Sequence, residues 1–135
     1  MPILYMKEQV IWDKEGNIID SIYQDVNRYF ERCFFKKSDI IGKRASEIFP
    51  ESLPEFTHFM SITLKEKKSI TFPYYFKTVN TFYDVVLNCS TEPDMVDVFC
   101  MDSTELHNAQ QMLSATNHKL SMALEVATLY LGNGT

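Results

Sequence analysis

The apolar and polar positions change period several times along the chain. Val10-Ile11-Trp12 reads as a short strand and Asp13-Lys14-Glu15-Gly16-Asn17 as a tight turn. Gly16 can supply the positive φ that such a turn requires, and Ile18 to Tyr23 returns as the second strand of a hairpin. The period then becomes helical: Val26, Tyr29, Phe30, Cys33 and Phe34 form one apolar stripe. Ser38 is the expected N-cap of a short helical turn through Ile41, stopped by Gly42. Ser46-Glu47-Ile48-Phe49 before Pro50 predicts another single turn. Pro54 starts a longer helix with Phe56, Phe59, Met60 and Leu64 on its inner side. Three strands follow, Ile70 to Phe76, Thr81 to Cys89 and Met95 to Met101, with Pro73 marking an edge position or a bulge in the first. From Glu105 good helix formers take over. Helices grouped between two sets of strands predict an α+β fold on one antiparallel sheet, followed by a long helix.

Composition narrows the class. The 135 residues, 45% hydrophobic and 23% charged, suit one ordinary globular domain. No apolar run approaches the roughly 20 residues of a membrane span, and MPILYMKEQV lacks the pattern of a secretory signal. The net charge of −5 argues against nucleic acid as a partner. The lysines at Lys36-Lys37 and Lys65-Lys67-Lys68 read as solvated helix ends or loops. Cys33, Cys89 and Cys100, odd in number and widely spaced, suggest free thiols in a reducing compartment, hence a cytoplasmic location.

Several short stretches in this order resemble one family. Asp13-x-x-Gly16-x-Ile18 resembles its first hairpin, Asn27 with Phe30 the opening of its first helix, and Ile41-Gly42-Lys43 and Glu47-Ile48-Phe49-Pro50 its "IGK" and "EIFP" stretches. Asp102-Ser103-Thr104-Glu105 resembles the "DITE" that closes the domain and begins its output helix, with Ser103 in place of the usual branched apolar residue. The chain is similar to a PAS domain over residues 9 to 105. The division expected from this is an N-terminal extension at 1–8, the PAS domain at 9–104, an output or coiled-coil linker helix at 105–131, and a tail at 132–135. The resemblance implies a five-stranded antiparallel sheet with short helices on one face. It also implies a sensory or relay role in a bacterial signalling protein, foremost a sensor histidine kinase of a two-component system. A neighbouring PAS or kinase domain of the same polypeptide would receive the signal through Asp102, Thr104 and Glu105.

The exit helix has a pattern of its own. Leu106, Leu113, Leu120 and Ala127 lie seven apart, and Gln110, Asn117, Leu124 and Leu131 form a second seven-spaced series. Together they make an a/d seam, predicting a homodimer in which polar Gln110 and Asn117 fix the register. An amphipathic helix folded back on its own sheet is the competing reading, and Lys119 to Leu131 also resembles the helix that opens a following PAS domain.

Catalytic chemistry has little support in the chain. It has no nucleophile elbow, phosphate-binding loop or paired metal-ligand spacing. No enzymatic activity is expected of it. Flavin-binding PAS domains share an "NCRFLQ" motif, of which Asn88-Cys89-Ser90 keeps two letters, so flavin is not expected. Haem-binding relatives use an axial histidine on the helix before the third strand, where His58 falls, but beside Phe56 and Phe59 it reads as an ordinary histidine; haem is not expected either. No cofactor is therefore expected. An unknown small-molecule ligand remains open, with Phe30, Cys33, Phe59, Phe72, Val85 and Val98 as candidate pocket lining. The same residues would otherwise simply fill the core. The competing functional readings are a stand-alone α+β ligand-binding protein or enzyme, which would need Asp84 or Asp97 inside with His58. A PAS domain attached to a cyclic-nucleotide enzyme or a transcription regulator is a further alternative.

Overall fold

The computed structural model describes residues 2–115. The chain divides into two units, one ending at Asp102 and one starting at Ser103. The first is built on a five-stranded antiparallel sheet in the order β2-β1-β5-β4-β3. Its strands are β1 (Ile3–Trp12), β2 (Ile18–Val26), β3 (Ile70–Phe76), β4 (Thr81–Cys89) and β5 (Met95–Asp102). Between β2 and β3 come α1 (Arg28–Cys33), α2 (Lys37–Ile40), α3 (Ala45–Ile48), a 3-10 turn at Pro50–Ser52 and α4 (Leu53–Glu66).

The first strand is longer than its sequence suggests. It begins at Ile3, so residues 3–8, expected as an extension outside the domain, belong to a central strand paired on both sides. Leu4, Met6, Glu8 and Val10 alternate inward and are all buried. The polar run Lys7-Glu8-Gln9 interrupts the apolar alternation and hides this strand from a reading by hydrophobicity alone.

The hairpin turn is closed by Asp13, whose Oδ1 accepts the backbone N–H of Glu15 and of Asn17, each at 2.9 Å. Gly16 sits at φ +81°, the left-handed region. Asn27 starts α1 and ties it to the sheet: its Oδ1 accepts from Phe30 N at 3.0 Å and Tyr5 N at 3.2 Å, while Nδ2 donates to Ile3 O at 2.7 Å. Only part of the expected stripe is helical, since Val26 ends β2 and Phe34 caps α1. Ser38 lies inside α2, and Lys36 takes the N-cap position without a side-chain bond. Gly42, at φ +84°, ends that turn with its N–H donating to Tyr23 O at 2.8 Å. Asp20 reaches from β2 to the first turn of α3, where its carboxylate accepts from Ser46 N at 3.1 Å and Ser46 Oγ at 2.5 Å. Pro73 stands on β3, an outer strand of the sheet, where its missing N–H costs least.

The helices contribute Phe30, Ile40, Ala45 and Met60 to a core shared with the inward residues of the strands, including Val85, Leu87, Val96 and Val98. In the second unit a helix, α5, is described over residues 104–115, opening with the N–H of His107 on the carbonyl of Ser103 at 2.8 Å. Of the expected seam, Leu106, Gln110 and Leu113 fall on α5, whereas Asn117, Leu120 and Leu124 lie outside the described residues. No helix among the described residues is long and apolar enough to cross a membrane.

Candidate functional site

Between the helices and the sheet lies an internal cavity of about 60 Å³. Its floor comes from inward positions of the strands: Leu4, Met6 and Glu8 on β1, Ser21 and Tyr23 on β2, Tyr83 on β4 and Cys100 on β5. Phe30, Leu53, Phe56 and Met60 close it from the helices. An aromatic wall at one side centres on Phe49, whose ring meets Phe34 at 5.3 Å and Phe76 at 5.4 Å, both edge-on. It also meets Tyr23, Phe30 and Phe35 at 6.1–6.5 Å. Beyond that wall is a second, more open depression of about 370 Å³, lined by Cys33, Phe35, Glu51, Thr78 and Val79. Phe34, Phe49 and Phe76 face both spaces.

The lining is mostly apolar, and polar side chains within it bond to one another at two points. Ser52 and Tyr74 share a hydroxyl–hydroxyl bond of 2.6 Å. At the other, Glu8 is 3% exposed and its Oε1 accepts from Ser21 Oγ at 2.7 Å. Burial pushes the Glu8 carboxyl up to about 7, against the partial relief of the Ser21 bond and with a small addition from the charge of Asp20. Asp20 itself is satisfied by Ser46 and the N–H of Ser21, with the Arg44 guanidinium 3.9 Å away. Burial and, secondarily, the charge of Glu8 also push the Cys100 thiol up to about 12, so it is an inert thiol rather than a nucleophile.

Of the six residues expected to line a pocket, Phe30 lines the inner cavity and Cys33 the outer depression. Val85 and Val98 are fully buried core, and Phe59 and Phe72 stack on each other at 4.1 Å, none of the four lining either space. His58 is exposed on α4 with its ring 5.0 Å from Phe59 and does not line the cavity. Cys89 donates its thiol to Thr63 O at 3.1 Å and Asn88 pairs with Ser69, and neither lines the cavity. Asp97 accepts from Tyr5 Oη at 2.7 Å, and neither it nor Asp84 lines the cavity. Among the described residues no group of three His, Cys, Asp or Glu side chains could hold a metal ion. Glu8 and Ser21 were missed by the sequence reading. The inward register of Leu4, Met6 and Val10 was the signal that points to Glu8.

No family model matches the sequence, and no curated protein matches it. Solved structures do match. A sensory box sensor histidine kinase from Vibrio cholerae superposes with a TM-score of 0.60 at 17% identity, covering 76% of this chain and 82% of that one. A domain of an HTR-like protein from Haloarcula marismortui gives 0.55 at 12%, covering 76% and 98%. An RNA-binding light-oxygen-voltage receptor gives 0.53 at 13%, covering 87% of this chain and 34% of that one. The likeness is one of fold: the five-stranded antiparallel sheet with its helices is a PAS-like fold.

Proposed function

We propose that this PAS-fold chain is the sensory module of a signalling protein of the histidine-kinase type, acting in the cytoplasm and passing a conformational change to a dimeric output helix. The observation that carries this reading is the position of Cys100. It lines the cavity on β5, and the same strand ends at Asp102, immediately before α5 begins. A change in what fills the cavity acts on the strand that leads into the exit through Asp102, Thr104 and Glu105. Free cysteines at 33, 89 and 100 support a reducing location. Leu106 and Leu113 are 57% and 62% exposed in the single chain, which supports their being covered by a second copy. A ligand shifts such a system only by its differential affinity for the two states. The regulated activity, on this reading, belongs to a neighbouring PAS or kinase domain and not to this chain.

The test is native mass spectrometry of the purified chain. A dimer carrying a small-molecule mass supports a ligand sensor, and an empty dimer supports a relay. A monomer removes the output mechanism while leaving the fold.

A further inference from the structure

A buried carboxylate needs a partner, and Glu8 has only half of one. Its Oε1 is bound to Ser21, and Oε2 makes no hydrogen bond among the described residues although the side chain lines the cavity. The titratable groups around it are Asp20 and Tyr23 on β2 and Cys100 on β5, with Tyr74 on β3 and Tyr83 on β4 also lining the cavity, and none of them is a cation. The helices present only uncharged side chains to the cavity. The remaining surface is apolar and aromatic, and ring faces favour a cation over an anion. A 60 Å³ cavity accepts only a small occupant.

We propose that this cavity binds a small primary alkylamine, its ammonium against Oε2 of Glu8 and its carbon chain among Phe30, Phe56 and Met60. The inference rests on the sensory reading above and names the class of molecule sensed. The ammonium completes the hydrogen bonding of Glu8 and supplies the missing countercharge, so the pair forms without an unpaired charge in the interior. Glu8 must be ionised to hold it. With its carboxyl raised to about 7, affinity falls about tenfold per pH unit below that range, because the alkylammonium stays protonated throughout as a lysine does.

The experiment is a ¹⁵N–¹H NMR titration of the whole chain at pH 8 with n-butylamine, 1-butanol and butyrate, which share size and differ in charge. Saturable shifts with n-butylamine at the Ser21, Tyr23 and Phe30 amides, absent with butyrate, are expected. Glu8→Gln, which keeps the shape and the bond to Ser21, is expected to weaken n-butylamine at least about 30-fold and leave 1-butanol unchanged. Its dispersed spectrum reports that it folds. Equal binding of 1-butanol and n-butylamine, insensitive to Glu8→Gln, overturns the amine while leaving a ligand cavity in place. Tighter binding of butyrate overturns it in favour of a protonated Glu8. Silence from all three probes in a folded chain overturns both the amine and the ligand-sensing form of the function, leaving the relay.

Discussion

Glu8 sits where its neighbours two residues away, Met6 and Val10, are core. Its carboxyl is raised from 4.5 to about 7, chiefly by burial. In the folded chain it therefore holds a proton that the unfolded chain releases between those values. Stability is fully present below about 4.5, declines as pH rises toward 7, and is flat above that. From this group the loss is roughly 3 kcal/mol. Urea denaturation at pH 5 and pH 8 is expected to show that drop in the native chain, and Glu8→Gln is expected to remove most of it by raising the stability at pH 8. The sequence carried half of this. Alternation back to Leu4 places Glu8 inward, but no pattern of residue types shows that Ser21 lies opposite it or that a void separates it from Phe56. Those depend on how the helices settle on the sheet. For the same reason Phe72, Val85 and Val98 could be read as inward but not as core rather than lining, since residues on one face differ only in whether a helix side chain reaches them.

The individual elements were more legible, because each is set by local chemistry. The turn at Asp13–Asn17, the cap at Asn27, the stop at Gly42 and the outer-strand proline at position 73 each follow from the residue that performs them. What failed were the ends: β1 lost its first half to a polar run, and α1 is only the six residues Arg28–Cys33 because Asn27 and Phe34 bound it. Asn27 is more than a cap, as its amide serves Phe30, Tyr5 and Ile3 together. Asn27→Ala leaves those groups of helix and strand to find water, and is expected to cost about 2 kcal/mol, toward the upper end of a lost cap. Thermal unfolding checks this, and an unchanged midpoint would show that the cap and the strand bonds are replaced by solvent.

At the scale of the molecule, one unit holds a cavity and the other begins a helix whose exposed leucines have a heptad spacing. On the proposed dimeric reading, the native chain sediments as a dimer and Leu113→Glu is expected to sediment as a monomer, with little change in the circular dichroism of the sheet. Persistence of the dimer would move the interface elsewhere. The sheet order does not dictate the output, because one fold serves many functions. Phe34, Phe49 and Phe76 stand between the inner cavity and the outer depression and face both. Their packing sets a clock. On the ligand-binding reading proposed above, a molecule reaching the interior by that side would pass when a packed ring rotates aside, and its residence time would then depend on aromatic side-chain motion as well as on Glu8. Phe34→Leu, which thins this partition at a half-buried position, is expected to speed exchange more than it weakens binding, as relaxation-dispersion NMR would show. On the proposed function, a sensor built this way would average its signal over the lifetime of a closed ring cluster, so that brief fluctuations in ligand concentration would leave its output unchanged.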